Sequence, residues 1–432
     1  MDNAEIKEYL LDFQKKELPE LIERELVLDE SAKITSIIGP RRAGKTYVLY
    51  QKIKHLVNSG VKKENIVYLN FEDPRLIGVT FKQVRDVIKL HWQIFPSSIN
   101  AKLYVFIDEP QNIKNWEISV RALHDEGFRI FLSGSSSKLL SKEIATSLRG
   151  RTIAHILLPL SFKEFLRLKG VSFDLSKLSS REKSALLSLV DEYLEFGGFP
   201  EIAQEGDKEN KARIINEYFN SVVYKDVIER YKIENTQLIK WLIKVLISSF
   251  SREFSIHKLY LTLKSQGFAL SKNTLYSYSA MLEDAMFIFQ VGKFNHAIRK
   301  KELTIPKVYL ADLGFTKLAQ ASKDIGYKIE NTVFLELERR KKTLTEISYW
   351  KNVQQEEVDF VVRQGAKVQK LVQACAYITN RDTKKRELRG LIKASRELKC
   401  KNLLIITYDY EAEEKIKNKK VRYVPLWKWL LQ

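Results

Sequence analysis

Gly39-Pro40-Arg41-Arg42-Ala43-Gly44-Lys45-Thr46 is the stretch on which the reading of this chain turns. It satisfies G-x-x-x-x-G-K-[ST] in full. The apolar run Ile34 to Ile38 precedes it, and Tyr47 to Ile53 follow with the spacing of an amphipathic helix. Strand, glycine loop and helix in that order gather backbone N–H groups and a helix N-terminus around a polyphosphate. Gly39 and Gly44 allow the close approach, and Pro40, Arg41, Arg42 and Ala43 complete the loop. Lys45 would reach the β- and γ-phosphates, and the Thr46 hydroxyl would hold Mg²⁺. These residues predict an ATP site.

Working outward, Leu103 to Glu109 is an apolar strand that closes on two acids. Downstream of a complete phosphate loop, Asp108 is expected to hold Mg²⁺ through water and Glu109 to activate the attacking water as general base. An earlier β-rich run, Asn65 to Phe71, ends in Glu72-Asp73, in a position to face the nucleotide. Arg129 to Ser135 is a third strand ending in small polar residues. The Ser133 hydroxyl is a candidate sensor of the γ-phosphate, with an ordinary Ser-rich turn as the equal alternative. Residues 143–151 read as a helix ending in Arg149 and Arg151. Such arginines either complement the helix C-terminus or offer a guanidinium to the phosphates of a neighbouring site, and the second role is favoured. Ahead of the first strand, Ile6 to Leu28 carry apolar positions at helical spacing, with Pro19 an inner boundary.

A chain of 432 residues predicts two or three domains. Its 73 Lys and Arg against 54 Asp and Glu leave a formal charge of +19, which points to nucleic acid or another polyanion as partner. A charged surface adapted to heat or salt is the alternative. The N-terminus lacks the basic and apolar segments of a signal peptide, and no apolar run has membrane-spanning length, so a cytoplasmic protein with no membrane partner is expected. Cys375 and Cys400 are the only cysteines, too few for a disulfide framework or a Cys-rich metal site.

The stretch from Ile37 through Phe165 resembles archaeal and bacterial AAA-type ATPases that carry a DUF4143-like C-terminal region. The resemblance is carried by the loop at 39–46, Phe-Ile-Asp-Glu-Pro-Gln at 106–111 and Leu-Ser-Gly-Ser-Ser-Ser at 132–137. Ser-Leu-Arg-Gly-Arg at 147–151, Pro-Leu-Ser-Phe-Lys-Glu-Phe-Leu at 159–166 and Phe-Gly-Gly-Phe-Pro-Glu at 196–201 extend it. It implies an α/β fold: a RecA-like P-loop NTPase with a parallel sheet over residues 1–160 and a helical lid over 161–234.

From 235 to 296 the pattern changes. Leu238 to Phe250, Ser255 to Lys264 and a segment capped by Ser271 read as three short helices, and Met286 to Lys293 as a strand. That is the outline of a winged helix-turn-helix whose third helix offers Lys272, Asn273, Tyr276 and Tyr278 to double-stranded DNA. Use as a protein-packing module is the competing reading. Over 297–432, the order of strands and helices looks like the restriction-endonuclease fold, PD-(D/E)XK, as the resemblance implies. Active members bind metal through a helix Glu, a strand Asp and an E-x-K on the next strand. Glu330 and Asp359 match the first two, but the third reads Gln373-Ala374-Cys375, so this part is expected to be a degenerate, non-cleaving relative. Two functions compete: an Mg-dependent ATPase that couples nucleotide state to DNA binding, and a nucleotide-gated DNA- or protein-binding switch with little turnover. An arginine acting in trans would need a homo-oligomer.

Overall fold

The computed structural model describes residues 3–28, 33–135, 148, 150–295, 304–319, 321–322, 324–378 and 381–432. The chain forms two compact units, Met1–Leu157 and Leu158–Gln432.

The first unit opens with helix α1 (Asn3–Lys15), which buries Ile6, Tyr9, Leu10 and Phe13 on one face. Residues 16–28 follow without regular structure, where the apolar spacing had suggested further helix. Five parallel strands come next: β1 (Ile34–Ile38), β2 (Ile66–Asn70), β3 (Tyr104–Asp108), β4 (Arg129–Gly134) and β5 (Thr152–Ile156). Their order across the sheet is β2-β3-β4-β1-β5, so β4 is inserted between β1 and β3. Helices α2 (Lys45–Asn58), α3 (Val84–Ile94) and α4 (Trp116–Asp125) connect them. Every strand residue of β1 and β3 is buried, as expected of a parallel sheet covered on both faces. Because all five strands run the same way, their C-terminal ends share one edge. Asp108 pairs with Ser133 across β3 and β4, and Ile38 with Gly134 across β1 and β4. That edge therefore carries both the phosphate loop and the paired acids.

The second unit begins with helices α5 (Phe162–Leu168), α6 (Ser180–Phe196), α7 (Pro200–Gln204) and α8 (Lys208–Ser221), the last continuing as a π-helix over Val222–Glu229. Ser161 with Glu164 and Ser179 with Glu182 close reciprocal capping boxes at the starts of α5 and α6. The Gly-Gly-Phe-Pro element between α6 and α7 has a specific cause. A Cβ on Gly197, whose φ is 79°, would lie 1.6 Å from Asp312 Oδ1. The buried Asp312 carboxylate accepts from the N–H groups of Gly198 at 2.7 Å and Gly314 at 2.8 Å.

Helices α9 (Thr236–Ser248), α10 (Ile256–Ser265) and α11 (Lys272–Asp284) follow, with strands β6 (Arg252–Glu253), β7 (Ile288–Val291) and β8 (Lys307–Leu310). Ser255 and Ser271 cap α10 and α11 as the sequence predicts. The three strands form an antiparallel sheet in the order β6-β8-β7. Strand β8, which the sequence reading placed in the last domain, is thus hydrogen-bonded to the strands around these helices. The rest is helix α12 (Ile325–Arg339) and a six-stranded mixed sheet. Its strands are β9 (Thr345–Lys351), β10 (Glu357–Gln364), β11 (Lys367–Ala374), β12 (Leu403–Thr407), β13 (Ala412–Ile416) and β14 (Lys419–Pro425), in the order β13-β14-β12-β11-β10-β9. Helix α13 (Arg381–Glu397) connects β11 to β12, and α14 (Leu426–Leu430) closes the chain. Among the described residues no helix is long and apolar enough to cross a membrane.

Candidate nucleotide site

The loop between β1 and α2 is held in its shape from several sides. Arg42 at φ 68° and Gly44 at φ 94° take left-handed backbone, which turns the chain into α2. Gly39 admits no side chain, because a Cβ there would lie 2.0 Å from the Leu157 carbonyl oxygen. Beneath the loop, Arg24 donates from Nη1 to the Ala43 carbonyl at 2.7 Å, and its own backbone exchanges hydrogen bonds with the Gln51 amide. Arg24 is 6% exposed, and no motif signals it. Lys45 Nζ donates to the carbonyls of Gly39 and Pro40, both at 3.1 Å, so its ammonium is drawn across the cradle. Arg41 reaches Glu72 at 3.4 Å, which places the acid after β2 beside the loop.

The acids line up as the strand order requires. Thr46 Oγ1 donates to Asp108 Oδ2 at 2.6 Å, which joins the last residue of the loop to the last residue of β3. Ser133 donates to Asp108 Oδ1, and the Tyr68 hydroxyl to Oδ2 at 3.1 Å. Ser133 therefore steadies Asp108 from the inserted strand. Tyr68 was not singled out in the sequence. Its position at the centre of β2, opposite Phe106, would have been the signal. Glu109 sits at φ 51°, a left-handed turn that separates its side chain from that of Asp108. Its carboxylate accepts from Gln111, and from the N–H and hydroxyl of Ser135 at 3.2 and 3.3 Å. Burial pushes the Glu109 carboxyl up, while the Lys45 charge pulls it back. A general base gains from a pKa raised toward working pH.

The donor set suits Mg-ATP. A hydroxyl and a carboxylate 2.6 Å apart are hard oxygen ligands at the mouth of the glycine loop. Arg151 lies elsewhere. Its carbonyl accepts from Ile34 N–H at the opposite end of the sheet, and its guanidinium is 2.6 Å from Asp125. The structure does not bring Arg151 to the loop of its own chain, and Arg149 lies outside the described residues.

In the second unit, α10 and α11 expose Lys258, Lys264, Lys272, Asn273 and Tyr276, with Lys272 Nζ over the Tyr276 ring. Tyr278, named with them from the sequence, is instead buried at 9% exposure. Of the residues matched to a nuclease pattern, Glu330, Asp359 and Gln373 do come together. Cys375 is buried, and burial pushes its thiol up to about 12, which removes it as a nucleophile.

Comparison with known proteins adds to this geometry. Residues 31–166 match the model of an AAA domain. Residues 187–324 match a domain of unknown function, DUF8612, where a DUF4143-like region had been expected. The chain is 40% identical over 406 residues to the uncharacterised protein MJ1544 of Methanocaldococcus jannaschii, covering 92% of this chain and 88% of that one. It is 32% identical over 338 residues to an uncharacterised protein of Haemophilus influenzae, covering 78% and 80%. The crystal structure of Cdc6p from Pyrobaculum aerophilum is similar at 12% identity and a TM-score of 0.26, over 59% of this chain and 80% of that one.

Proposed function

The chain belongs to the family of the Methanocaldococcus jannaschii protein MJ1544, and on that premise we propose that it is an Mg-dependent ATPase whose nucleotide state is coupled to binding of double-stranded DNA. The observation that carries the reading is the Thr46–Asp108 hydrogen bond, which joins a complete phosphate loop to the acid pair on one sheet edge.

In this reading Gly39, Pro40, Arg41, Arg42, Ala43 and Gly44 wrap the phosphates, and Lys45 leaves the loop carbonyls to bind them. Thr46 and Asp108 would hold Mg²⁺, which when bound neutralises charge on the β- and γ-oxygens. Glu109 takes a proton from the attacking water, and Ser135 with Gln111 keeps its carboxylate aimed. Arg149 or Arg151 would serve the site of a neighbouring copy, which makes the protein a homo-oligomer in its working form. The three helices α9 to α11 with β6, β7 and β8 act as a winged helix, and the exposed Lys272, Asn273 and Tyr276 contact DNA. The charge of +19 favours that partner. The last part of the chain acts as a nuclease-like domain that has lost cleavage.

Glu109→Gln tests the ATPase reading directly. Turnover should fall by about a hundredfold or more, as expected for loss of a general base, with ATP affinity retained. A variant that hydrolyses ATP as fast as the wild type would refute the assignment.

A further inference from the structure

Lys307 opens β8, and its side chain reaches from the small antiparallel sheet to the acids of α12 and β10. Its Nζ lies 2.8 Å from Glu330 Oε1, 2.5 Å from Glu357 Oε1 and 2.9 Å from Asp359 Oδ1. An ammonium has three N–H donors, and here three carboxylates take them. Lys307, Glu330 and Asp359 are 3, 6 and 5% exposed, so these charges have left water and hold together only as a paired set.

Two further acid oxygens are engaged as well, and Glu330 Oε1 takes a second donor. The Tyr309 hydroxyl donates to Glu330 Oε1 at 2.7 Å, and the Ala374 N–H to Asp359 Oδ2 at 2.9 Å. Lys351 Nζ is 3.4 Å from Glu357 Oε2. Gln373 stands where the E-x-K pattern has an acid. It donates from Nε2 to Glu387 Oε2 at 2.6 Å and accepts on Oε1 from the Asp359 N–H at 3.2 Å. A glutamate there would set a second negative charge against Glu387.

These residues do not fit the divalent ion that the nuclease resemblance implies. Mg²⁺ or Mn²⁺ needs carboxylate oxygens converging on open space, and here the point of convergence is filled by a nitrogen. Among the described residues no group of three His, Cys, Asp or Glu side chains is arranged to hold a metal ion. We propose that the Lys307 ammonium stands in for the divalent cation of this acid cluster, a tethered charge that closes the site to metal and ties β8 to α12 and β10. The proposal rests on the nuclease-like reading of this part of the chain, and the experiment separates the two.

The cluster faces a cavity of about 680 Å³ lined also by Arg252, Lys351 and Arg386, so an ion in solution has a route to it. Mn²⁺ binding to the nucleotide-free full chain, followed by electron paramagnetic resonance, gives the test. Any ion at Thr46 and Asp108 is common to all variants. Wild type and Glu330→Gln should bind Mn²⁺ alike. Lys307→Met should gain one additional site, about tenfold or more tighter than any residual binding there in the wild type, and Lys307→Met with Glu330→Gln should lose it. If Glu330→Gln removes a site from the wild type, metal binds beside the lysine: the proposal fails and the nuclease-like reading stands. If Lys307→Met folds and gains no site, the cluster is not built for a cation, and both fail. Should Lys307→Met not fold, Lys307→Gln takes its place in the same comparison, and loss of a site from the wild type by Glu330→Gln still refutes the proposal.

Discussion

Asp108 collects three hydroxyl groups, from Thr46, Ser133 and Tyr68, and each comes from a different element around it. A carboxylate so held is oriented before any ligand arrives. Tyr68→Phe removes one donor and leaves the packing of the ring. A hydrogen bond of about 1 kcal/mol predicts a fall in kcat of roughly fivefold with ATP affinity little changed, read from steady-state hydrolysis and nucleotide titration. Tyr68 also carries no motif signal in the sequence. The loop and the two acids were legible because their chemistry demands fixed residues at fixed spacing. Tyr68 and Arg24 are not, because a core tyrosine and an arginine in a loop acquire their roles only when β2 and the N-terminal segment are brought to the site. Lys307 is the strongest case: a lysine at a strand start reads as solvent-facing, and only the folded chain sets it among three acids.

Among the elements, the turn between α6 and α7 depends on Asp312. Gly197→Ala would place a methyl group on the Asp312 carboxylate at a left-handed φ, so thermal unfolding should show a loss of at least about 2 kcal/mol. Burial pushes the Asp312 carboxyl up to about 7, against the pull of the Gly198 and Gly314 N–H groups. The folded chain then holds a proton that the unfolded chain releases near pH 4. Stability from this group is therefore full below about pH 4 and is lost as pH rises toward 7. Asp312→Asn should flatten the change in unfolding free energy between pH 5 and pH 7 by about 2 kcal/mol relative to the wild type, measured by denaturant titration at each pH. Other elements show the limits of pattern. The caps Ser255 and Ser271 were readable because a hydroxyl before a helix has one structural use. Strand β5 was missed, since Thr152–Ile156 is a half-exposed edge strand with no buried run to announce it. The β13–β14 hairpin was missed because Glu413, Glu414, Lys415, Lys419 and Lys420 make it read as polar surface.

At the scale of the whole molecule, the proposed function pairs the nucleotide site of the first unit with the exposed lysines and Tyr276 of α10 and α11 in the second. The proposed DNA binding draws on the whole chain's formal charge of +19 and should weaken steeply with added salt. The central claim is that nucleotide turnover and DNA binding are coupled in one chain. The rate of ATP hydrolysis by the purified protein, with and without double-stranded DNA and with Lys45→Ala as control, tests it most directly. Turnover that DNA stimulates and that Lys45→Ala abolishes is the expected result. Turnover indifferent to DNA, or none at saturating Mg-ATP, would contradict it.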